Sequence, residues 1–322
     1  MRDIRVATVQ FEHRDGDKPF NLARIEALTA QAASQGAEVV CFHECSVTGY
    51  TFLQYLNHDQ LLQLAEPVPA GPAVARLIEI ARAHRVAVMA GLVEVDGDQL
   101  HNTYVAVTAD GMLARHRKLH PFVHPSLVPG SEYTLFDYAD VRWGLLTCYD
   151  NNLPENVRAT TLLGAEVIVM PHVTGCLPSV MPGRGTVDPQ LWHQRHADPV
   201  RLRLEFRGPK GLGWLMKWLP ARAWENGVYA VFANPIGLDG GTVKPGLARI
   251  VDPHGDVLTE SHALDDDVVV GLLTRHTYEQ ASGRRYLAAR RPELYQPLTQ
   301  PHPPGHTPTT HPGWQVGGSA IG

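Results

Sequence analysis

No stretch of this chain stays apolar for long enough to cross a bilayer, and its opening, Met1-Arg-Asp-Ile-Arg-Val, enters a strand pattern without the apolar segment of an export signal. A membrane partner is therefore not expected, and a cytoplasmic location is. Cysteine is scarce: four residues, at positions 41, 45, 148 and 176, are too few for a disulfide framework in 322 residues. Cys41 and Cys45 have no matching second pair, which argues against structural zinc. Neither sign of charge dominates, with 28 basic residues against 33 acidic ones, so nucleic acid is not an expected partner. One further shortage is local: from Pro121 to Gly130 there is no acidic residue at all.

What is present is an ordinary globular composition in which short apolar runs alternate with helical patterns. Strand-like runs lie at Ile4 to Phe11, Glu38 to Phe42, Ala87 to Val95, Thr103 to Thr108, Met112 to Arg115, Tyr133 to Phe136, Val141 to Thr147 and Glu166 to Met170. Helices are predicted from Asn21 to about Ser34, from Pro72 to His84 and from Pro154 to Leu163. Alternation of this kind, with Val/Ile/Ala-rich strands, indicates an α/β fold whose sheets are covered by helices. Residues 176–219 break the rhythm with scattered Pro and Gly and read as a long insertion of loop character. The expected domain is residues 1–290, followed by a Pro-rich tail, 291–322, that reads as extended or disordered; an arm anchored on a neighbouring subunit by Trp314 is the second reading.

Three strand ends carry chemistry. Cys148 closes the run Val141-Arg-Trp-Gly-Leu-Leu-Thr147 and is followed by an Asp/Asn turn and Pro154, which opens a helix. A sulfur at such a corner, near a helix N-terminus, is where a thiolate is favoured. Glu44 ends the run Val39-Val-Cys-Phe-His, and Lys118 sits in the basic segment Arg115-His-Arg-Lys-Leu-His120. Singly, each has a plain structural reading: a buried thiol, a turn cap, a solvated charge run. Together they supply a base, a cation for an oxyanion and a nucleophile. Strand alternation lets Lys118 point inward while Arg115 and Arg117 point out. His116, His120 and His124 are four apart, yet Pro121 and Pro125 forbid a shared helix face, so a metal is not expected, and acyl transfer through a thiol calls for no cofactor.

The order Glu, Lys, Cys, in the contexts HECSVTGY, HRKLHPF and GLLTCYDNNLPE, resembles the nitrilase superfamily of carbon-nitrogen hydrolases. The likeness extends to the opening strand, to Gly164–Pro171, to Ala221-Arg-Ala-Trp-Glu-Asn-Gly227 and to Asp252-Pro-His-Gly255, covering roughly residues 3 to 275. It implies a four-layer αββα sandwich and hydrolysis of a small linear amide through a Cys148 thioester. In that scheme Glu44 is the base, and the oxyanion is held by Lys118 and the backbone N–H of Tyr149. It also implies a homodimer or larger homo-oligomer formed near the helix after Cys148. Tyr50, His172, Thr174, Arg195 and Arg201 are candidate substrate-binding residues, the two arginines as receptors for an anionic group.

Relatives in this superfamily carry a second glutamate before the Pro-Gly that follows the lysine; here Val123 or His124 takes its place, and His124 or Glu132 is the expected polar substitute. Asn151-Asn152 stand where carbamoylases place basic residues, which disfavours a carbamoyl amino acid. Gly246-Leu-Ala248 replaces a more usual Gly-x-Ser. The alternatives are a nitrilase or carbamoylase using the same residues, or a catalytically impaired member serving as an assembly subunit.

Overall fold

Strand β1 (Ile4–Gln10) shows how the sequence builds the layers. Its even-numbered Ile4 and Val6 enter one apolar cluster while Ala7 and Val9 enter another, so both faces are buried. The same split recurs in β2 (Val39–Cys41), where Val39 and Cys41 face one way and Val40 the other. Between them runs α1 (Lys18–Ser34), whose N-terminus is capped by Asp17 accepting the Phe20 N–H. Then follow α2 (His58–Leu64), α3 (Pro72–His84), β3 (Ala87–Asp96), β4 (Gln99–Thr108) and β5 (Gly111–Arg117). The second half contains β6 (Thr134–Tyr138), β7 (Val141–Leu145), α4 (Pro154–Leu162), β8 (Val167–Pro171), α5 (Pro189–His193), α6 (Pro199–Arg207), α7 (Leu212–Leu215), α8 (Leu219–Asn226) and β9 (Tyr229–Ala233). It closes with β10 (Ile236–Asp239), β11 (Thr242–Pro245), β12 (Arg249–Val251), β13 (Val257–Glu260), β14 (Asp267–Leu273), α9 (Arg275–Gln280) and α10 (Gly283–Ala288). This computed structural model describes residues 1–179 and 181–300, with only the backbone of Gln315–Val316 and Ser319–Ala320 beyond them.

Two six-stranded sheets result, ordered β14-β1-β2-β3-β4-β5 and β13-β12-β9-β8-β7-β6. In each, three neighbouring strands run parallel: β1, β2 and β3 in the first, β7, β8 and β9 in the second. The two sheets face each other across Val6, Val39, Met89, Trp143, Val169 and Val231. Helices α1 and α3 cover the outer face of the first sheet through Ile25, Leu28, Leu77 and Ile80. Val157 of α4 and Leu219 and Ala223 of α8 join Ile168, Met170, Ala230 and Phe232 on the outer face of the second. The layers are therefore αββα, as the resemblance implied.

The insertion departs from its reading as loop. Residues 176–219 hold α5, α6 and α7 and lead into α8. Pro189 and Pro199 are the first residues of their helices, each preceded by Asp, so the prolines start helices where they suggested loop punctuation. The segment has its own apolar centre, in which Cys176, Val187, Trp192, Leu202 and Phe206 close on Ile236 and Val243 of the β10–β11 hairpin. Of the tail, residues 292–294 and 296–299 form short 3-10 turns; Trp314 lies outside the described residues.

Candidate active site

Glu44 follows β2 in a turn where Cys45 adopts φ +48°. That turn lies directly on Gly91 of β3: a Cβ there would come within 2.3 Å of the Cys45 nitrogen, so only glycine admits the approach. Lys118 leaves β5 with its N–H donating to the Asn102 carbonyl at 2.8 Å, and its own carbonyl accepts the Gly130 N–H at 2.9 Å. Gly130 is again forced, since a Cβ would sit 2.2 Å from the Arg117 carbonyl oxygen. Arg115 and Arg117 turn away to the buried Glu94, at 2.9 and 2.6 Å, leaving Lys118 directed inward. Cys148 begins a five-residue 3-10 turn with φ +52°, a conformation costly for a residue with a Cβ.

These three residues converge. Lys118 Nζ donates to Glu44 Oε1 at 2.7 Å with both side chains fully buried, and to the Tyr50 hydroxyl at 3.4 Å. The ammonium also stands 4.7 Å from the centre of the Phe122 ring and 5.2 Å from that of Tyr50. Burial disfavours the charged lysine, but the Cys148 sulfur, Glu44 and Asp150 outweigh it and its pKa is raised. Glu44 Oε2 has no hydrogen-bond partner among the described residues, and the Cys148 thiol lies beside this carboxylate.

Cys148 corrects the expectation of a resting thiolate. Burial first, and then the Glu44 charge, push the thiol up to about 12 against the opposing pull of Lys118. The sulfur heads a short 3-10 turn whose dipole is too small to offset desolvation. At neutral pH it is a thiol.

Asp150 ties the site together. Its carboxylate accepts the N–H groups of Leu119 and His120, just after the lysine, and of Thr147, just before the cysteine, at 3.2, 2.9 and 3.1 Å. His116 Nε2 adds a fourth contact at 3.3 Å. Asn102 of β4 donates from Nδ2 to Glu44 Oε1 at 2.6 Å. Neither residue stood out in the sequence; the register of β4 on β5, Thr103 opposite Arg117, is what sets Asn102 beside Lys118.

Several candidates fall elsewhere. His124 is turned away from Glu44, with Nε2 to the Leu56 carbonyl at 3.0 Å and Nδ1 accepting the Ser126 N–H at 3.1 Å. Glu132 is exposed, in a cleft with Arg115 and Arg117. Val123, buried against Cys45, Tyr50 and Val173, fills the space with hydrocarbon. Arg195 stacks on Trp192, donates to the Leu264 carbonyl and pairs with Asp265. Arg201 is exposed on α6, because Leu202 and Phe206 claim that helix's inner face. The anion-receptor reading of both arginines is therefore not supported by their placement.

Tyr50 is at the site, and its ring meets Phe122, which in turn meets the half-exposed Tyr149, edge to face. His172 supports the cysteine turn: its Nε2 lies 3.2 Å from Asn151 Nδ2, and its ring packs on Trp218 and Phe232. Thr174 is held by Asn234, which accepts its N–H at 2.8 Å. His116, His120 and His124 point to different partners, Asp150, Asn156 and Leu56. Behind the Glu44 turn lies a buried chain in which Asp239 accepts from His13 at 3.0 Å and His13 contacts His43 at 3.0 Å. Asp15 approaches the same histidine, and these ligating atoms cluster, but both His13 nitrogens are already engaged.

A family profile described as carbon-nitrogen hydrolase matches residues 5–282. The chain belongs to the carbon-nitrogen hydrolase family. It is 32% identical to an (R)-stereoselective amidase of Pseudomonas sp over 88% of this chain and 92% of that one. A nitrilase of Pyrococcus abyssi is 28% identical, with 83% and 88% covered. Among solved structures, a glutamate-to-glutamine variant of the amidase from Nesterenkonia sp. AN1 aligns with a TM-score of 0.67 at 25% identity, covering 91% of this chain and 96% of the other. In it the acetamide moiety of fluoroacetamide is added covalently at the active-site cysteine.

Proposed function

We propose that this carbon-nitrogen hydrolase is an amidase for small linear amides with a neutral, apolar acyl group, and that Cys148, Glu44 and Lys118 carry the reaction. Cys148 Sγ attacks the amide carbonyl carbon as Glu44 Oε2 takes the thiol proton. The oxyanion is held by Lys118 Nζ and the Tyr149 N–H. Glu44 returns the proton to the nitrogen, the C–N bond breaks, and ammonia or an amine leaves a thioester. Water then attacks the thioester carbon while Glu44 takes a proton from it. Collapse expels the Cys148 sulfur, which regains a proton, and the carboxylic acid departs. No step needs electrons from outside or a metal-bound hydroxide.

The observation that carries this reading is the division of labour on Glu44. Oε1 is engaged by Lys118 and Asn102, while Oε2 is unpartnered beside a thiol that is protonated at rest. The amidase names among the relatives support the amide. The acyl preference rests on the Tyr50, Phe122 and Tyr149 rings at the site, on Arg195 being committed to Leu264 and Asp265, and on Arg201 being exposed on α6. That commitment speaks against a carbamoyl amino acid, and the hydrogen-bonded Glu44 speaks against an impaired assembly subunit. Self-association belongs to the same proposal: Leu162 and Leu163 at the end of α4 and Trp224 on α8 are exposed apolar side chains on adjoining helices, the surface a homodimer would cover. No helix among the described residues is long and apolar enough to cross a membrane. The test is Cys148→Ala: ammonia release from short aliphatic amides should vanish with the melting temperature retained, and retained turnover would end the proposal.

A further inference from the structure

Asn102 touches both members of the Glu44–Lys118 pair. Its Nδ2 donates at 2.6 Å to the Glu44 oxygen that also receives Lys118 Nζ at 2.7 Å, and its backbone carbonyl accepts the Lys118 N–H at 2.8 Å. The residue is 2% exposed and lies inside β4, so sheet pairing fixes its backbone. The orientation of the amide follows from chemistry: an ionised carboxylate only accepts, so the NH2 must face Glu44. Oδ1 is left to the Cys45 thiol, whose sulfur lies 3.5 Å away. Asn102 is thus held at both ends of its amide.

We propose that Asn102 is a positioning residue for the base: it pins Glu44 by Oε1, leaves Oε2 as the lone proton acceptor toward Cys148, and does so without bringing a second negative charge. This rests on the amidase mechanism above. The absence of charge matters physically. A carboxylate in the same place would stand within hydrogen-bond distance of Glu44, and two anions that close do not both ionise at neutral pH. One proton would be shared between them, and it would occupy the base until the pH rose. A neutral donor instead holds Oε1 without competing for a proton. The empty acidic register from Pro121 to Gly130 is then matched by an amide from another strand.

The experiment compares wild type, Asn102→Asp and Asn102→Ala with butyramide as the probe, measuring kcat and KM between pH 5 and 9 and melting temperature. Asn102→Asp, nearly identical in shape, should move the acidic limb of kcat upward by at least about one pH unit, as a shared proton requires. Asn102→Ala should lower kcat about tenfold or more while KM changes less than about threefold, the scale of one lost charge-assisted contact. If the alanine variant is too unstable to assay, the aspartate limb decides alone. An unmoved limb in Asn102→Asp would overturn the inference, as would wild-type kcat in a folded Asn102→Ala. Failure of the mechanism itself reads differently: wild type would then form no acyl adduct at Cys148.

Discussion

Replacing Asp150 by asparagine changes almost no volume, yet it should be among the most damaging substitutions in the chain. The carboxylate receives four donors: the His120 N–H on Oδ1, and the Leu119 N–H, Thr147 N–H and His116 Nε2 on Oδ2. An asparagine keeps one acceptor oxygen. In either orientation its NH2 is driven against at least one backbone N–H that cannot accept, and the surviving bonds lose their charge. Charge-assisted bonds contribute about 1.5–3 kcal/mol against about 1 for neutral ones, and an orphaned buried donor costs about 1–3 more. The sum is roughly 3–5 kcal/mol of folding stability, readable by urea unfolding. The loss also falls on the reaction, because two of these N–H groups follow Lys118 directly and one precedes Cys148. Turnover should drop at least about tenfold, with KM less affected. The sign of the pH dependence is fixed as well. Burial opposes the charge, but His116, Lys118 and the backbone donors prevail and lower the Asp150 pKa. Its stabilisation is therefore present above an unfolded value of about 3.9 and is lost as pH falls, and Asp150→Asn should remove that share of the acid sensitivity. A variant within about 1 kcal/mol of wild type and with full turnover would refute the clamp.

The buried Asp239–His13 pair predicts alkaline sensitivity. Burial opposes protonation of His13, but Asp15 and Asp239 raise its pKa to about 9, so its contribution holds below about 6.5 and is lost as pH rises through about 9. On the order of 3 kcal/mol should disappear across that window, and a flat unfolding free energy between pH 7 and 9.5, or one equally steep in Asp239→Asn, would contradict the pairing. Glu44→Gln should lower turnover by roughly 100-fold for want of a base, while the thiol pKa of Cys148 falls because a neighbouring negative charge has gone. Ultraviolet titration of the thiolate checks the second effect, and an upward shift would mean the carboxylate does not face the sulfur. Arg195→Ala and Arg201→Ala should leave kcat/KM for neutral amides within about twofold, since neither guanidinium is directed to the site; a tenfold loss would reinstate the anion receptor.

How far the sequence disclosed this architecture depended on how local each signal was. The run Val167–Pro171 is apolar and buried on both faces, and Ile4–Gln10 is buried on both faces except at Arg5. Glu44, Lys118 and Cys148 stood out because each is a reactive group where such a run ends. Asn102 did not, because an asparagine in the middle of a strand has the look of ordinary pairing; its role arises from β4 lying antiparallel on β5. The chain beyond Lys118 offers His124 and Glu132 as partners to Glu44, but the partner comes from the strand beside β5. Asp150 looked like turn chemistry, which it is, but its acceptor capacity is spent on two separate loops. The insertion reads as loop in the sequence because of its prolines, yet proline starts a helix as readily as it interrupts one, and Asp188-Pro189 and Asp198-Pro199 are starts.

If hydrolysis passes through a thioester on Cys148, the acyl group resides on that sulfur between loss of ammonia and attack by water. Protein quenched in acid during turnover of butyramide, digested and examined by mass spectrometry, tests it most directly. A butyryl adduct should appear on the peptide carrying Cys148, be absent in Cys148→Ala and accumulate in variants that slow the water step. Ammonia release at full rate with that peptide unmodified, or with the acyl group on Cys45 or Cys176, would contradict it.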